Sequence, residues 1–288
     1  MSASEHALTF ACKQEQLVGV ISMPAIDQAP QHTGVVVIVG GPQYRAGSHR
    51  QFVLLARAIA SAGYPVLRFD YRGMGDSAGT QRDFSATGAD VAAAIDAMQE
   101  YVPDVRQIVL WGLCDGASAA LLYCHETNDT RVTGMCLLNP WVRSEVSLAR
   151  AHVKHYYVDR LKQKEFWFRL LSGKVAGAAL AGLWRNISLA ASGASATASD
   201  QTQPFQNRMA QAWRKFDGRV LLLLSGNDYT AKEFLEFTSA DAAWAGLLGQ
   251  ANVLRHDLAE ADHTFSDAGA RARVESLTLA WLPTCTAR

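Results

Sequence analysis

The sequence predicts an α/β protein built on a mostly parallel, doubly wound sheet, and three observations predict it. Short apolar runs of strand type alternate with segments of helical periodicity along most of the chain. Each run is bounded by Gly, Pro or Asp, as parallel strands covered on both faces should be. The 288 residues, 49% of them hydrophobic, are enough to bury a large core as one domain, or as a domain with a sizeable insertion.

Residues 8–12 and 16–23 are two short strand-like runs that open the chain. Residues 35–39, all Val or Ile, form a buried strand, after which Gly40, Gly41 and Pro42 turn the chain. Residues 50–62 then place Phe52, Leu55, Ile59 and Ala62 at helical spacing, stopped by Gly63. A strand at 65–70, a helix over about 86–101, a strand at 107–111, a helix after Cys114 and a strand at 132–138 continue the alternation.

After Pro140 the rhythm breaks, because 141–213 carries helical patterns rich in Trp, Phe, Tyr, Lys and Arg but no convincing strand. Residues 141–215 therefore read as a helical cap inserted into a core formed by 1–140 and 216–288. Inside it, 191–204 is small, polar and low in complexity, the composition of a flexible linker. A strand at 219–225, a helix over about 230–248, a strand at 252–257 and an amphipathic helix at 267–282 complete the core.

Charge excludes one class of partner, since 27 Lys+Arg balance 27 Asp+Glu and no basic run stands out for nucleic acid. No apolar stretch approaches a membrane span and the first twenty residues lack the pattern of a signal peptide, so a cytoplasmic protein without membrane insertion is expected. Five widely spaced cysteines without a C-x-x-C suggest neither a disulfide framework nor a zinc site.

One cysteine stands apart by position. A nucleophile elbow is a sharp strand-to-helix turn whose flanking residues must be small, because the backbone crowds them while the central side chain points outward. Gly75-Asp-Ser77-Ala-Gly79 satisfies that pattern literally, and Gly112-Leu-Cys114-Asp-Gly116 satisfies it with cysteine. Only the second follows directly on an apolar strand and runs into an unbroken helix. Ser77 has the context of a loop, where its hydroxyl would tie down a glycine-rich turn. Cys114 is thus the expected nucleophile, its thiolate favoured by the helix N-terminus beneath it and by a nearby imidazole. Buried packing is the alternative for Cys114 and the expected fate of Cys124 and Cys136.

The remaining partners follow in the order acid, histidine. Asp228 stands at the carboxyl end of a fully apolar strand, where open parallel sheets place their sites, although it would also suit a helix cap. His263 lies between the last strand and the last helix, able to fold back over the elbow. Asp262 adjoins it, but consecutive residues rarely face each other. Asp115 would supply one backbone N–H to an oxyanion; after Gly40-Gly41-Pro42 the second would come from Gln43, with Gly41 behind it, because proline has no N–H. Trp141, Trp167 and Trp184, among the basic residues of the cap, are candidates for substrate contact, with packing against the core as the alternative.

The order of elements, the Asp70-Tyr-Arg-Gly-Met-Gly-Asp-Ser77 loop, the elbow and the His263 segment resemble the α/β-hydrolase superfamily over nearly the whole chain. The segments Gly40-Gly-Pro-Gln-Tyr-Arg-Ala-Gly-Ser-His-Arg-Gln-Phe52, Gly112-Leu-Cys-Asp-Gly-Ala-Ser118 and Asn139-Pro-Trp-Val142 further resemble the type 1 hydrolases encoded beside the exosortase A system of exopolysaccharide-producing bacteria. The resemblance implies an α/β-hydrolase fold with a cap. Cysteine in the serine position departs from the wider superfamily. The function expected is a cofactor-free, metal-free acyl hydrolase of thioesterase or carboxylesterase type, acting on a small-molecule ester or thioester through an acyl-Cys114 intermediate. Acyl transfer to a saccharide or carrier, and a non-catalytic binding or scaffold module on the same fold, are the alternatives.

Overall fold

The computed structural model describes residues 4–25, 27, 31–41, 43–143 and 203–285. Trp167, Trp184 and most of the linker expected at 191–204 lie outside the described residues. Contacts divide the chain into one unit of Met1–Val142 with Gln203–Arg288 and another of Arg143–Thr202, and the first carries every element below.

The strands are β1 (Ser4–Cys12), β2 (Glu15–Met23), β3 (Thr33–Ile38), β4 (Val66–Phe69), β5 (Gln107–Leu113), β6 (Val132–Leu138), β7 (Arg219–Ser225) and β8 (Val253–Leu258). The helices are α1 (Gln51–Ser61), α2 (Gly88–Tyr101), α3 (Asp115–Thr127), α4 (Phe205–Lys215), α5 (Tyr229–Ala240) and α6 (Ala268–Trp281). The strands form one sheet in the order β1-β2-β4-β3-β5-β6-β7-β8. β1 and β2 pair antiparallel, β2 meets β4 antiparallel, and the strands from β4 to β8 are parallel. From β3 the chain first moves one way, to β4, and then the other, to β5. The loops after β3 and β5 therefore diverge at a topological switch point, the place where open α/β sheets put their sites.

Strand alternation sends side chains to two separate cores. Val36, Ile38, Leu110, Leu222 and Leu224 pack with buried residues of α2, α3, α4 and α5. Val35, Val37, Val39, Val109, Leu221 and Leu223 pack under α1 and α6. β1 begins earlier than its apolar residues suggest, because Ser4 to Ala7 are exposed and join the sheet through backbone pairing. The helix expected over 230–248 ends at Ala240, where Asp241 accepts the Ala243 N–H and starts the first of two short 3₁₀ turns.

The largest difference is α4. Residues 205–215 were expected in the cap, yet α4 belongs to the main unit, with Met209, Ala210 and Trp213 buried against it. The Trp213 ring lies 5.7 Å from that of Trp244 and 6.5 Å from that of Phe234, and its indole N–H donates to Leu247 O at 3.1 Å. A basic helix with a narrow apolar face resembles the insertion in composition; only tertiary contacts assign it to the core. At its start, Phe205 packs edge-on to Phe84, and Gln206 Nε2 donates to Val142 O at 2.9 Å.

Candidate active site

β5 ends at Leu113 and α3 begins at Asp115, so one residue, Cys114, makes the whole turn between them. It does so at φ 60°, ψ −126°, a conformation costly for any residue with a Cβ. Surrounding bonds hold it there: Cys114 N donates to Leu138 O at 2.9 Å, while its carbonyl accepts from Ala117 N at 3.1 Å and Trp141 N at 3.3 Å. The flanking glycines answer close approach. A Cβ on Gly112 would fall 2.6 Å from the Gly116 carbonyl, and one on Gly116 would fall 2.4 Å from Ile38 O. Cys114 is half-buried, whereas Cys136 and Cys285 are fully packed, and burial pushes their thiols up, Cys285 to about 12.

His263 lies in the loop after β8, its Nδ1 2.9 Å from Asp228 Oδ2, with the Cys114 thiol near enough to act on the ring. The bond to Asp228 first, and the thiol second, raise the imidazole to about 10 against the opposing effect of burial. Asp228 is itself the N-cap of α5, accepting the N–H groups of Thr230 and Ala231 at 3.1 Å each. Burial pushes its carboxyl up, but the bond and charge of His263 and the two backbone N–H groups outweigh that and hold it below its ordinary value. Helix capping and contact with the histidine, alternatives on sequence grounds, are made by the same carboxylate.

The neighbouring carboxylate faces elsewhere. Asp262 accepts from the backbone N–H of Ser266 at 2.9 Å and from its hydroxyl. Ser77 lies in the β4–α2 connection, its hydroxyl donating to Asp70 O at 2.7 Å and accepting the Val18 N–H at 2.9 Å.

Asp115 contributes its backbone at the first position of α3, and its carboxylate folds back onto the loop after β3, where Oδ1 accepts the Gly41 N–H. Burial raises this carboxyl, opposed by the N–H groups of Gly41, Gly116 and Asp115 itself. Gln43 turns its side chain to its own loop, accepting Ser48 N at 3.3 Å. Trp141 follows β6 and is tied to the elbow by its backbone: its N–H donates to Cys114, and its carbonyl accepts the Ser118 hydroxyl at 2.7 Å.

Two groups of residues around these loops, most of them within segments that carry the family resemblance, have no role assigned to them by the sequence. Arg45 forms ion pairs with buried Asp70 and with Asp76, and Asp70 also accepts Arg45 N at 2.7 Å and Asp76 N at 3.1 Å, which locks the loop after β3 to the glycine-rich loop. Asn139 and Ser225 are buried where β6 and β7 end. In sequence each is a polar residue closing an apolar run, and Asn139 also opens the Asn139-Pro-Trp-Val142 segment. Among the described residues no group of three or more His, Cys, Asp or Glu is arranged to hold a metal ion, and no helix is long and apolar enough to cross a membrane. A groove between His125, Lys215, Phe216 and Arg219 lies at the opposite edge of the sheet, where β6 and β7 begin, and includes none of Cys114, Asp228 and His263.

A parallel sheet with a strained strand-to-helix elbow, an acid loop after one strand and a histidine loop after the next defines an α/β-hydrolase fold. The family model described as serine aminopeptidase, S33, matches residues 30–180, just over half of the 288 residues, and the chain belongs to that family. A stretch of 92 residues is 34% identical to lysophosphatidylserine lipase ABHD12 of Macaca fascicularis and of Mus musculus, covering 32% of this chain but only 22% of the lipase. Among solved structures, the Pyrococcus furiosus esterase Pf2001 matches with TM-score 0.63 at 16% identity, over 98% of this chain and 91% of that one. A putative hydrolase from Agrobacterium vitis S4 matches with TM-score 0.57 at 18% identity, over 97% and 99%. At such identities the structural likeness is one of fold.

Proposed function

We propose that the protein hydrolyses a small-molecule acyl ester or thioester through an acyl-Cys114 intermediate. The observation that carries this reading is one imidazole, His263, hydrogen-bonded to Asp228 and brought beside the thiol at the strained turn. With Nδ1 committed to Asp228, Nε2 is left to hold the proton that leaves Cys114.

The Cys114 sulfur attacks the carbonyl carbon, forming an S–C bond as the C=O pair moves onto oxygen. The donors for that oxyanion are the Asp115 N–H, next to the nucleophile, and, from the loop after β3, the Gln43 N–H. Collapse expels the alkoxide or thiolate leaving group, which takes the proton from His263. Water then gives a proton to His263 and attacks the acyl carbon; the S–C bond breaks and the carboxylic acid departs, restoring thiolate and imidazolium. Asp228 keeps the ring oriented and favours its protonated form, and no step calls for a cofactor.

The acyl-sulfur bond suits thioesters and activated esters better than amides. The named lipase relative supports an ester as the bond broken. The resemblance of residues 40–52 and 112–118 to exosortase-associated hydrolases supports a link to bacterial exopolysaccharide export, without naming the substrate.

Intact-mass spectrometry after exposure to a panel of acyl thioesters and p-nitrophenyl esters tests the reading. An acyl adduct on the wild type that is missing from Cys114→Ala is expected. Undiminished turnover by Cys114→Ala would overturn it.

A further inference from the structure

We propose that Asn139 and Ser225 are positioning residues that hold His263 against Cys114, an inference that rests on the triad reading above. Asn139 follows β6 directly, is fully buried, and sits at φ 45°, in the left-handed region that asparagine tolerates better than most residues. From there its amide reaches two other chain segments. Oδ1 accepts the Ser225 N–H at 2.9 Å, while Nδ2 lies 2.9 Å from Ser225 Oγ and donates to His263 O at 3.2 Å. The Ser225 hydroxyl passes its own proton on to Asp262 O at 2.8 Å.

The two carbonyls reached by this pair, those of Asp262 and His263, belong to the peptide groups on either side of the His263 α-carbon. Both peptide planes are therefore fixed, and only the side-chain torsions of His263 remain to be set, by Asp228 and Cys114. The acid and the histidine come from different loops, after β7 and after β8. Ser225 is the last residue of β7 and stands three positions before Asp228, so the same pair joins the two loops at their roots. Fully satisfied buried networks of this kind specify one geometry, and a misplacement of about 1 Å at a reacting group costs roughly 10²-fold in rate.

A purely structural role for the pair would lower stability without altering the protonation of His263, and that difference is measurable. The titratable groups bearing on His263 are Asp228 from the loop after β7 and Cys114 from the elbow; His49, from the loop after β3, bears on Asp262. In full-length Ser225→Ala, the His263 ring is followed by nuclear magnetic resonance of labelled histidine across pH, with alkylation of Cys114 by iodoacetamide measured in parallel. The proton affinity of His263 should fall about tenfold and alkylation at neutral pH should slow by about tenfold or more, in a protein still folded by circular dichroism. Should Ser225→Ala fail to fold, Ser225→Cys, close in size but a poor hydrogen-bond donor, carries the same expectation. A folded variant whose His263 titrates as in the wild type overturns the proposal. Failure of the triad reading would show separately, as turnover that survives Cys114→Ala, and would leave the titration of His263 a valid test of the tie.

Discussion

Asparagine at position 228 separates the two tasks of one carboxylate. Loss of a helix cap costs about 1 kcal/mol, and asparagine, itself a good N-cap, preserves most of that. The interaction with His263 is larger. Raising the imidazole from its ordinary 6.5 to about 10 corresponds at face value to about 5 kcal/mol. Two corrections reduce it: the His263 side chain is 34% exposed and so is screened by solvent, and part of the effect comes from Cys114. About 2 kcal/mol remains for Asp228. Because the folded state binds the His263 proton more tightly than the unfolded one, this contribution is complete below about pH 6.5 and disappears as pH rises through about 10. On the acid side, the lowered Asp228 carboxyl preserves it down to pH values below the ordinary 3.8. Urea unfolding of wild type and Asp228→Asn should therefore differ by about 2 kcal/mol at pH 6 and converge on the small capping remainder near pH 10. Turnover should fall about 10⁴-fold, as expected when the group orienting a catalytic histidine is neutralised. A stability difference that stays constant from pH 6 to pH 10 would refute the argument.

Three further outcomes are expected. Cys114→Ala should lose turnover by a factor of about 10⁶ in a steady-state thioester assay, while Ser77→Ala should keep substantial activity, because its hydroxyl is spent on Asp70 O and Val18 N. Asp262→Asn should cost far less rate than Asp228→Asn in the same assay, since Asp262 binds Ser266 and not the imidazole. Trp213→Ala should destabilise the protein by about 3–5 kcal/mol in urea titrations, the usual loss for a large aromatic removed from a core; a cost below about 1 kcal/mol would contradict the burial of α4 in the main unit.

Most of the sheet was legible because buried parallel strands are written as apolar runs with glycine or aspartate at their ends, as in β3, β5 and β7. Spacing and neighbours also set the turn at Cys114 apart from the loop at Ser77, since a turn of one residue needs a strand on one side and a helix on the other. What escaped was set by partners distant in sequence. Trp213 looks like any aromatic of a basic helix until Trp244 and Phe234 close around it. Asn139 becomes visible only when Ser225, 86 positions later, and His263, 124 positions later, meet it. Asp228 offered two readings from sequence because a cap and a histidine partner need the same carboxylate at the same strand end.

The hydrogen bond from Gln206 to Val142 has a consequence for how this protein could change over time. The chain leaves its main unit and returns to it at two points already fastened together, so the entropy of closing the intervening stretch is only weakly sensitive to its length. Residues 143–202 can be lengthened, shortened or replaced wholesale without rewriting the sheet, the elbow or the histidine loop. The stapled pair is a socket, and a recombinant exchanging 143–202 for another segment, with Val142 and Gln206 retained, should keep the same core.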